Sequence, residues 1–145
     1  MTSETIDRCL YVFLQTSYHF EMQERRLFDL SWQDIYLLQV LRRSQDRRIT
    51  QLGTKLELKK YQISRLVSRL ENLGLVRRTG VPDDRRNVEV ELLPAGQQRL
   101  SDIEAYHRQL FEVSERRGGP GKQTLAELNR TIHQFATMVG INLEE

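Results

Sequence analysis

The chain has 145 residues, 39% of them hydrophobic and 29% charged, with a formal net charge of +2 and a mean hydropathy of -0.56. No run approaches the roughly 20 consecutive apolar residues of a membrane span, and residues 1–4 lack the basic start of a secretory signal, so a globular protein of the cytoplasm with no membrane partner is expected. A single cysteine, Cys9, excludes an intrachain disulfide framework, and His19, His107 and His133 fall on three separate predicted helices, so neither a metal site nor a cofactor is expected.

The small net charge hides an uneven distribution. Residues 42–86 hold thirteen Lys and Arg against five acidic residues, a formal +8, while the remainder carries -6. A basic middle between acidic ends is the pattern that attraction to a polyanion requires of one region.

From Ile6 to about Leu27 the spacing Ile6, Leu10, Phe13, Ser17, Phe20 returns to one face of a helix. Tyr11, Tyr18 and Met22 form a second apolar face, so this helix is expected to pack against more than one neighbour, and a partner chain would supply one. Ser31 is placed to cap a second helix from Trp32, with Ile35, Leu38 and Leu41 inward and Asp34 at its positive end. Residues 42–48 end it.

Thr50 is expected to cap a short helix carrying Leu52 and Leu56. After a turn near Leu58 and Lys59, a further helix places Ile63, Leu66, Val67, Leu70 and Leu73 on one face, and Gly74 is expected to end it in a left-handed conformation. Two short helices with a tight turn read as helix-turn-helix. The outward face of the second carries Lys60, Tyr61, Gln62, Ser64, Arg65, Ser68 and Arg69, side chains that can meet base edges and phosphates in a major groove.

Residues 75–78 read as a strand, and Val88, Val90 and Leu92, alternating with Glu89 and Glu91, as its antiparallel partner. The Gly- and Pro-containing segment between them, tipped by Arg85 and Arg86, has the form of a wing, and arginine suits the negative potential of a narrow minor groove. Pro94 opens a helix to about Arg116, with Leu100, Ile103, Tyr106, Leu110 and Val113 inward. Gly118, Gly119, Pro120 and Gly121 break it; as a phosphate loop this segment fails, because Arg116 stands where Gly is needed and Gln123 follows Lys122. A last helix carries Leu125, Leu128, Ile132, Phe135 and Val139 at the steps of a coiled-coil seam. The fold class expected is mainly α with a small β-hairpin wing (α+β).

This order of elements resembles the MarR family of bacterial transcription regulators. The wing pattern of that family is met by Asp84, Arg86, Val90, Leu92 and Gly96, with Leu93 where Thr is usual; Ile63, Ser64 and Arg65 match its recognition helix, and Gly74, Leu75, Val76 and Arg78 its helix-to-wing junction. The departure at Leu93 concerns a helix cap rather than DNA contact. The resemblance covers essentially the whole chain, most strongly from about Leu52 to Gly96. It implies a homodimer on a pseudo-palindromic double-stranded DNA operator, with a winged helix-turn-helix lobe over residues 31–93 and dimerisation helices over residues 1–30 and 94–145, all in one compact chain. Arg86 would enter the minor groove while Asp84 orients nearby arginines, Arg78 among them. The DNA-binding set expected is Lys59, Lys60, Gln62, Ser64, Arg65, Ser68, Arg69, Arg78, Asp84, Arg85 and Arg86.

Relatives that bind small aromatic or phenolic effectors do so between the dimerisation helices and the lobe, where Tyr11, Tyr18, His19, Trp32, Tyr36 and Arg108 are the candidates here. Ordinary core and dimer packing is the competing account of each. The peroxide-sensing branch of the family carries a cysteine in the first helix. Cys9 sits about two residues closer to Ser31 than that branch requires, and Trp32 replaces an expected Tyr, so a small packing residue is the favoured reading. No Ser or Cys has a recognisable base and no carboxylate pair suggests itself, so no catalysis is expected. Two alternatives stay open: a winged helix that docks an acidic protein, and a small enzyme, which a cleft with strongly perturbed titratable groups would mark.

Overall fold

A computed structural model of the protein describes residues 2–80, 84 and 87–141. The chain divides into two compact units, Met1–Ile103 and Glu104–Glu145.

In the first unit, helix α1 (Ser3–Phe28) begins at Thr2, whose hydroxyl accepts from the Thr5 N–H, and ends where Asp29 turns left-handed at φ 54° and donates its N–H to the Arg25 carbonyl. Both apolar faces expected of this helix are exposed: none of its residues is buried. Helix α2 (Trp32–Arg43) starts as a reciprocal cap. The Ser31 hydroxyl accepts from the Asp34 N–H at 3.1 Å, and the Asp34 carboxylate accepts from the Ser31 N–H at 2.8 Å. Ile35, Leu37, Leu38 and Leu41 then face the core.

Helix α3 (Ile49–Lys55) departs from expectation at its start. Arg48, not Thr50, is the capping residue, because residues 47–49 first pair with the wing: Val90 donates to the Arg47 carbonyl at 2.9 Å and Ile49 to the Val88 carbonyl at 3.0 Å. The helix begins where that pairing releases the backbone, leaving Thr50 inside the first turn.

Helix α4 (Lys60–Asn72) buries Ile63, Val67 and Leu70 and half-buries Leu66. Leu73 was expected on this face and is exposed. The helix ends one residue earlier, Gly74 turns the chain at φ +74°, and the Leu75 N–H closes on the Leu70 carbonyl at 3.0 Å, so Leu75 takes the core position instead.

Strand β1 (Val76–Thr79) pairs antiparallel with β2 (Glu89–Leu92), Val76 opposite Leu92 and Arg78 opposite Val90. Alternation buries Val76 and Val90 and turns Arg77 outward. Helix α5 (Pro94–Arg116) follows at once. Leu93 has no hydroxyl to cap it; its carbonyl accepts the Gln97 N–H at 3.0 Å, and Pro94 brings no N–H that needs a partner. Gly96 is required by close approach: a Cβ there would lie well inside contact distance of the Leu75 carbonyl oxygen and 2.6 Å from Leu92 Cδ1. Leu100 and Ile103 complete a buried apolar core that runs from Leu30 to Ile103.

The second unit holds the remainder of α5 and helix α6 (Lys122–Met138), with Gly118 at φ +78° in the turn between them. Leu110 was expected inward and is exposed; Tyr106 and Val113 are half-buried, and among the described residues the buried core includes none of this part of α5 beyond Ile103. The coiled-coil-like row of α6 is likewise uncovered, with Leu125, Leu128, Phe135 and Val139 exposed and Ile132 half-buried. Among the described residues no helix is long and apolar enough to cross a membrane.

Candidate nucleic-acid interface

Burial of the Ile63, Val67, Leu70 seam leaves the opposite side of α4 to solvent. Lys60, Tyr61, Gln62 and Arg65 are exposed there, Tyr61 at 60%, with Ser64 and Ser68 half-buried beside them. Lys59 caps this helix although an ammonium cannot accept a hydrogen bond. The Gln62 N–H goes instead to the Lys59 carbonyl at 2.9 Å, and the reciprocal half of a cap is present: Gln62 Oε1 accepts the Lys59 N–H at 2.8 Å. The carboxamide N–H2 of Gln62 is then the end left to donate outward.

Arg69 has a different environment from the rest of that face. Its guanidinium meets the carboxylate of Asp34, donates to the Asp29 carbonyl at 2.8 Å and lies 3.9 Å from the Asp29 carboxylate. Asp34 is 1% exposed, and the same oxygen that meets Arg69 accepts the Ser31 N–H. One arginine thus ties α4 to the end of α1 and the start of α2.

A second tie joins α4 to the wing. Glu71 accepts the Arg78 backbone N–H at 2.9 Å and its guanidinium at 2.7 Å, while the other end of that guanidinium donates to the Ser64 carbonyl at 2.9 Å and the Ser68 hydroxyl at 3.0 Å. The Arg78 backbone N–H holds the Glu71 carboxyl below its ordinary pKa; burial opposes the shift, and the Arg78 guanidinium adds to the lowering. Arg78 was offered by sequence as a partner of Asp84; the residues that hold it here are Glu71, Ser64 and Ser68. Arg77 pairs across the strands with Glu91 at 2.6 Å. Asp84 accepts from the Asn87 side chain at 2.7 Å, and Arg85 and Arg86 lie outside the described residues.

On the α2–α3 loop, Arg48 forms a fork with Asp46 at 2.7 and 2.9 Å, whose side-chain hydrogen bond lowers the Asp46 pKa to about 2. Lys55 donates to the Ser44 hydroxyl at 3.0 Å. The basic block therefore divides: Arg48, Arg69, Arg77 and Arg78 are engaged by acids, whereas Lys59, Lys60 and Arg65 are exposed on α4 outside these ion pairs. Beside Arg65, an open hollow of about 570 Å³ is bounded by Asp29, Ser64, Ser68, Arg69, Asn72 and Leu73.

A helix-turn-helix whose second helix exposes cations, braced against a two-stranded wing, is a winged-helix lobe, and residues 28–87 match the MarR family model. Over that segment the chain is similar to the MarR family. Its fold is that of solved MarR-family structures. AbsC, a MarR family transcriptional regulator from Streptomyces coelicolor, is 22% identical with a TM-score of 0.69, over 96% of this chain and 97% of that one. The transcriptional regulator BldR from Sulfolobus solfataricus is 25% identical with a TM-score of 0.64, over 92% and 99%. Staphylococcus aureus MarR in complex with salicylate and kanamycin is 10% identical with a TM-score of 0.74, over 94% and 91%. A comparison with curated protein sequences found no match. The match of residues 28–87 to the MarR family model supports DNA-binding transcription regulation.

The remaining sequence candidates fall on α1, on α2 and in the second unit. Tyr11, Tyr18 and His19 are exposed on α1, with Tyr18 and His19 edge to face at 6.1 Å; Trp32 and Tyr36 are exposed one turn apart on α2; Arg108 is exposed in the second unit. Cys9 is exposed on α1. Among the described residues no group of His, Cys, Asp or Glu is gathered as for a metal ion. Sequence reasoning missed Asp29, Asp34 and Glu71 as partners of the arginines. Asp34 carried one signal, its three-residue spacing from Ser31, but that spacing speaks only of the cap.

Proposed function

We propose that this chain is a sequence-specific DNA-binding regulator of the cytoplasm, a homodimeric repressor whose hold on a pseudo-palindromic operator is released by a small aromatic or phenolic effector. The observation that carries the DNA contact is the exposed surface of α4: Lys60, Gln62 and Arg65 exposed over its first two turns, Lys59 at its head, with the wing base anchored beside them. Such a helix fits a major groove with its first turns toward the bases and its flanking cations toward phosphate, and Arg85 and Arg86 would reach the adjacent minor groove. Ser64 and Ser68, half-buried at the wing junction, would contact the backbone, and Asp84 would orient the wing.

Dimerisation is supported by the exposed apolar rows. Phe13 and Phe20 on α1 and Leu125, Leu128 and Phe135 on α6 are large side chains left in water, which a second copy would cover. The exposed aromatics of α1 and α2 (Tyr11, Tyr18, His19, Trp32, Tyr36) are the effector contacts proposed for the first unit, and Arg108 is the one proposed for the second. Salicylate, present in the structure of the S. aureus relative, is the first effector to try.

The test is fluorescence anisotropy of the full chain against duplex DNA from its own gene's upstream region and a scrambled duplex, at two salt concentrations, with sedimentation equilibrium for the oligomer. Preference for the native duplex by several kcal/mol, lost steeply with salt, is expected. Equal weak binding to both duplexes would move the docking of an acidic protein to the front.

A further inference from the structure

Arg69 is exposed on α4, as Lys60 and Arg65 are, yet its charge is already used. The guanidinium sits between Asp34 and Asp29 and donates to the backbone carbonyl at the left-handed end of α1. Asp34 is almost completely buried; the oxygen that meets Arg69 also accepts the Ser31 N–H, and the other, Oδ1, has no hydrogen-bond partner among the described residues. Drawing Arg69 away toward a phosphate would leave that buried carboxylate without its cation, the arrangement proteins tolerate least. A phosphate approaching Arg69 would also meet the exposed carboxylate of Asp29.

We propose that Arg69 is a positioning residue and not a DNA contact: it fixes the rotation of α4 against the α1–α2 corner, so that Lys60, Gln62 and Arg65 meet the groove in register. The proposal rests on the DNA-binding reading. Its physical content is that α4 has 13 residues and three buried side chains, and that the Glu71–Arg78 pair ties it to the wing, while the Arg69 pair ties it to the α1–α2 corner. The Arg69 tie, 35 residues away in sequence from Asp34, holds it from the side.

The experiment uses the full chain and a duplex recovered by the wild type from a randomised duplex library, with affinity followed by anisotropy across a salt series. Asp34→Asn is the decisive variant. It keeps the oxygen that caps Ser31 and removes a negative charge close to the DNA-facing surface, so plain electrostatics predicts tighter binding. The positioning role predicts weaker binding by about fivefold, and the double variant Asp34→Asn with Arg69→Gln binding no worse than the singles. Arg69→Met should weaken binding with its salt slope unchanged, whereas Lys60→Met should reduce the slope by about one. Urea unfolding of each variant confirms that the folded protein is being compared. Unchanged or tighter binding by Asp34→Asn, or loss of one unit of slope in Arg69→Met, would overturn the proposal and make Arg69 a phosphate contact. If Arg69→Met does not fold, the sign of the Asp34→Asn effect decides alone. A wild type that retains no duplex removes the DNA-binding reading and this proposal with it, a result distinct from any change among variants.

Discussion

The carboxylate of Glu71, at the end of α4, holds both the backbone N–H and the guanidinium of Arg78, in the first strand of the wing. Because that guanidinium also donates to the Ser64 carbonyl two turns back, the wing base and the outer face of α4 move as one body. Two rigid elements presented at a fixed angle are what simultaneous reading of a major and a minor groove requires.

Glu71→Ala should therefore cost about 1 to 2 kcal/mol of unfolding free energy, the value of a charge-assisted pair about a third exposed rather than fully buried. Urea denaturation monitored by circular dichroism measures it. Loss below a few tenths would mean that the wing is held by its strand pairing alone.

The same pair gives a pH dependence of known sign. The folded-state pKa of Glu71 is depressed, so its contribution is fully present above the unfolded value near 4.5 and is lost as pH falls through the lower folded value. Asp46, with a folded value of about 2, acts in the same direction. Side-chain carboxyl NMR should show Glu71 titrating below the ordinary glutamate range, and Glu71→Gln should flatten the acid limb of stability. A midpoint at the ordinary value would remove the clamp.

Gly96→Ala should destabilise the lobe by about 1 to 3 kcal/mol, because its methyl would press into the Leu75 carbonyl and Leu92 where α5 leaves the wing. The midpoint of thermal or urea unfolding reads this directly. A neutral effect would show that α5 can move away from β1.

Gln62 separates stability from DNA affinity. Gln62→Ala removes the acceptor for the Lys59 N–H and should cost about 0.5 to 1 kcal/mol of stability. Gln62→Glu keeps that acceptor, places a carboxylate favourably near the helix start and should be at least as stable. Facing phosphate and base acceptors with no donor, it should nevertheless bind operator more than tenfold more weakly. Wild-type affinity in Gln62→Glu would take this residue out of the interface.

Local chemistry made much of this protein legible in the sequence. The three-residue spacing of Ser31 and Asp34 marks the start of α2, Gly74 the left-handed exit from α4, and Pro94 the first turn of α5, since each acts through bonds to backbone within a turn. The seam Ile63, Val67, Leu70 likewise implies which side of α4 faces solvent, because helical periodicity requires no knowledge of the partner surface. Tertiary structure decided what periodicity could not. Which of the outward cations are free depends on where Asp34 and Glu71 arrive after the helices pack, and Arg69 and Lys60 look alike until that happens. The start of α3 is set by strand pairing of Arg47 and Ile49 with a wing some forty residues later, and the choice of Leu75 over Leu73 for the core by the turn at Gly74. Spacing along one element is a property of the chain; the meeting of charges across elements is a property of the packed fold.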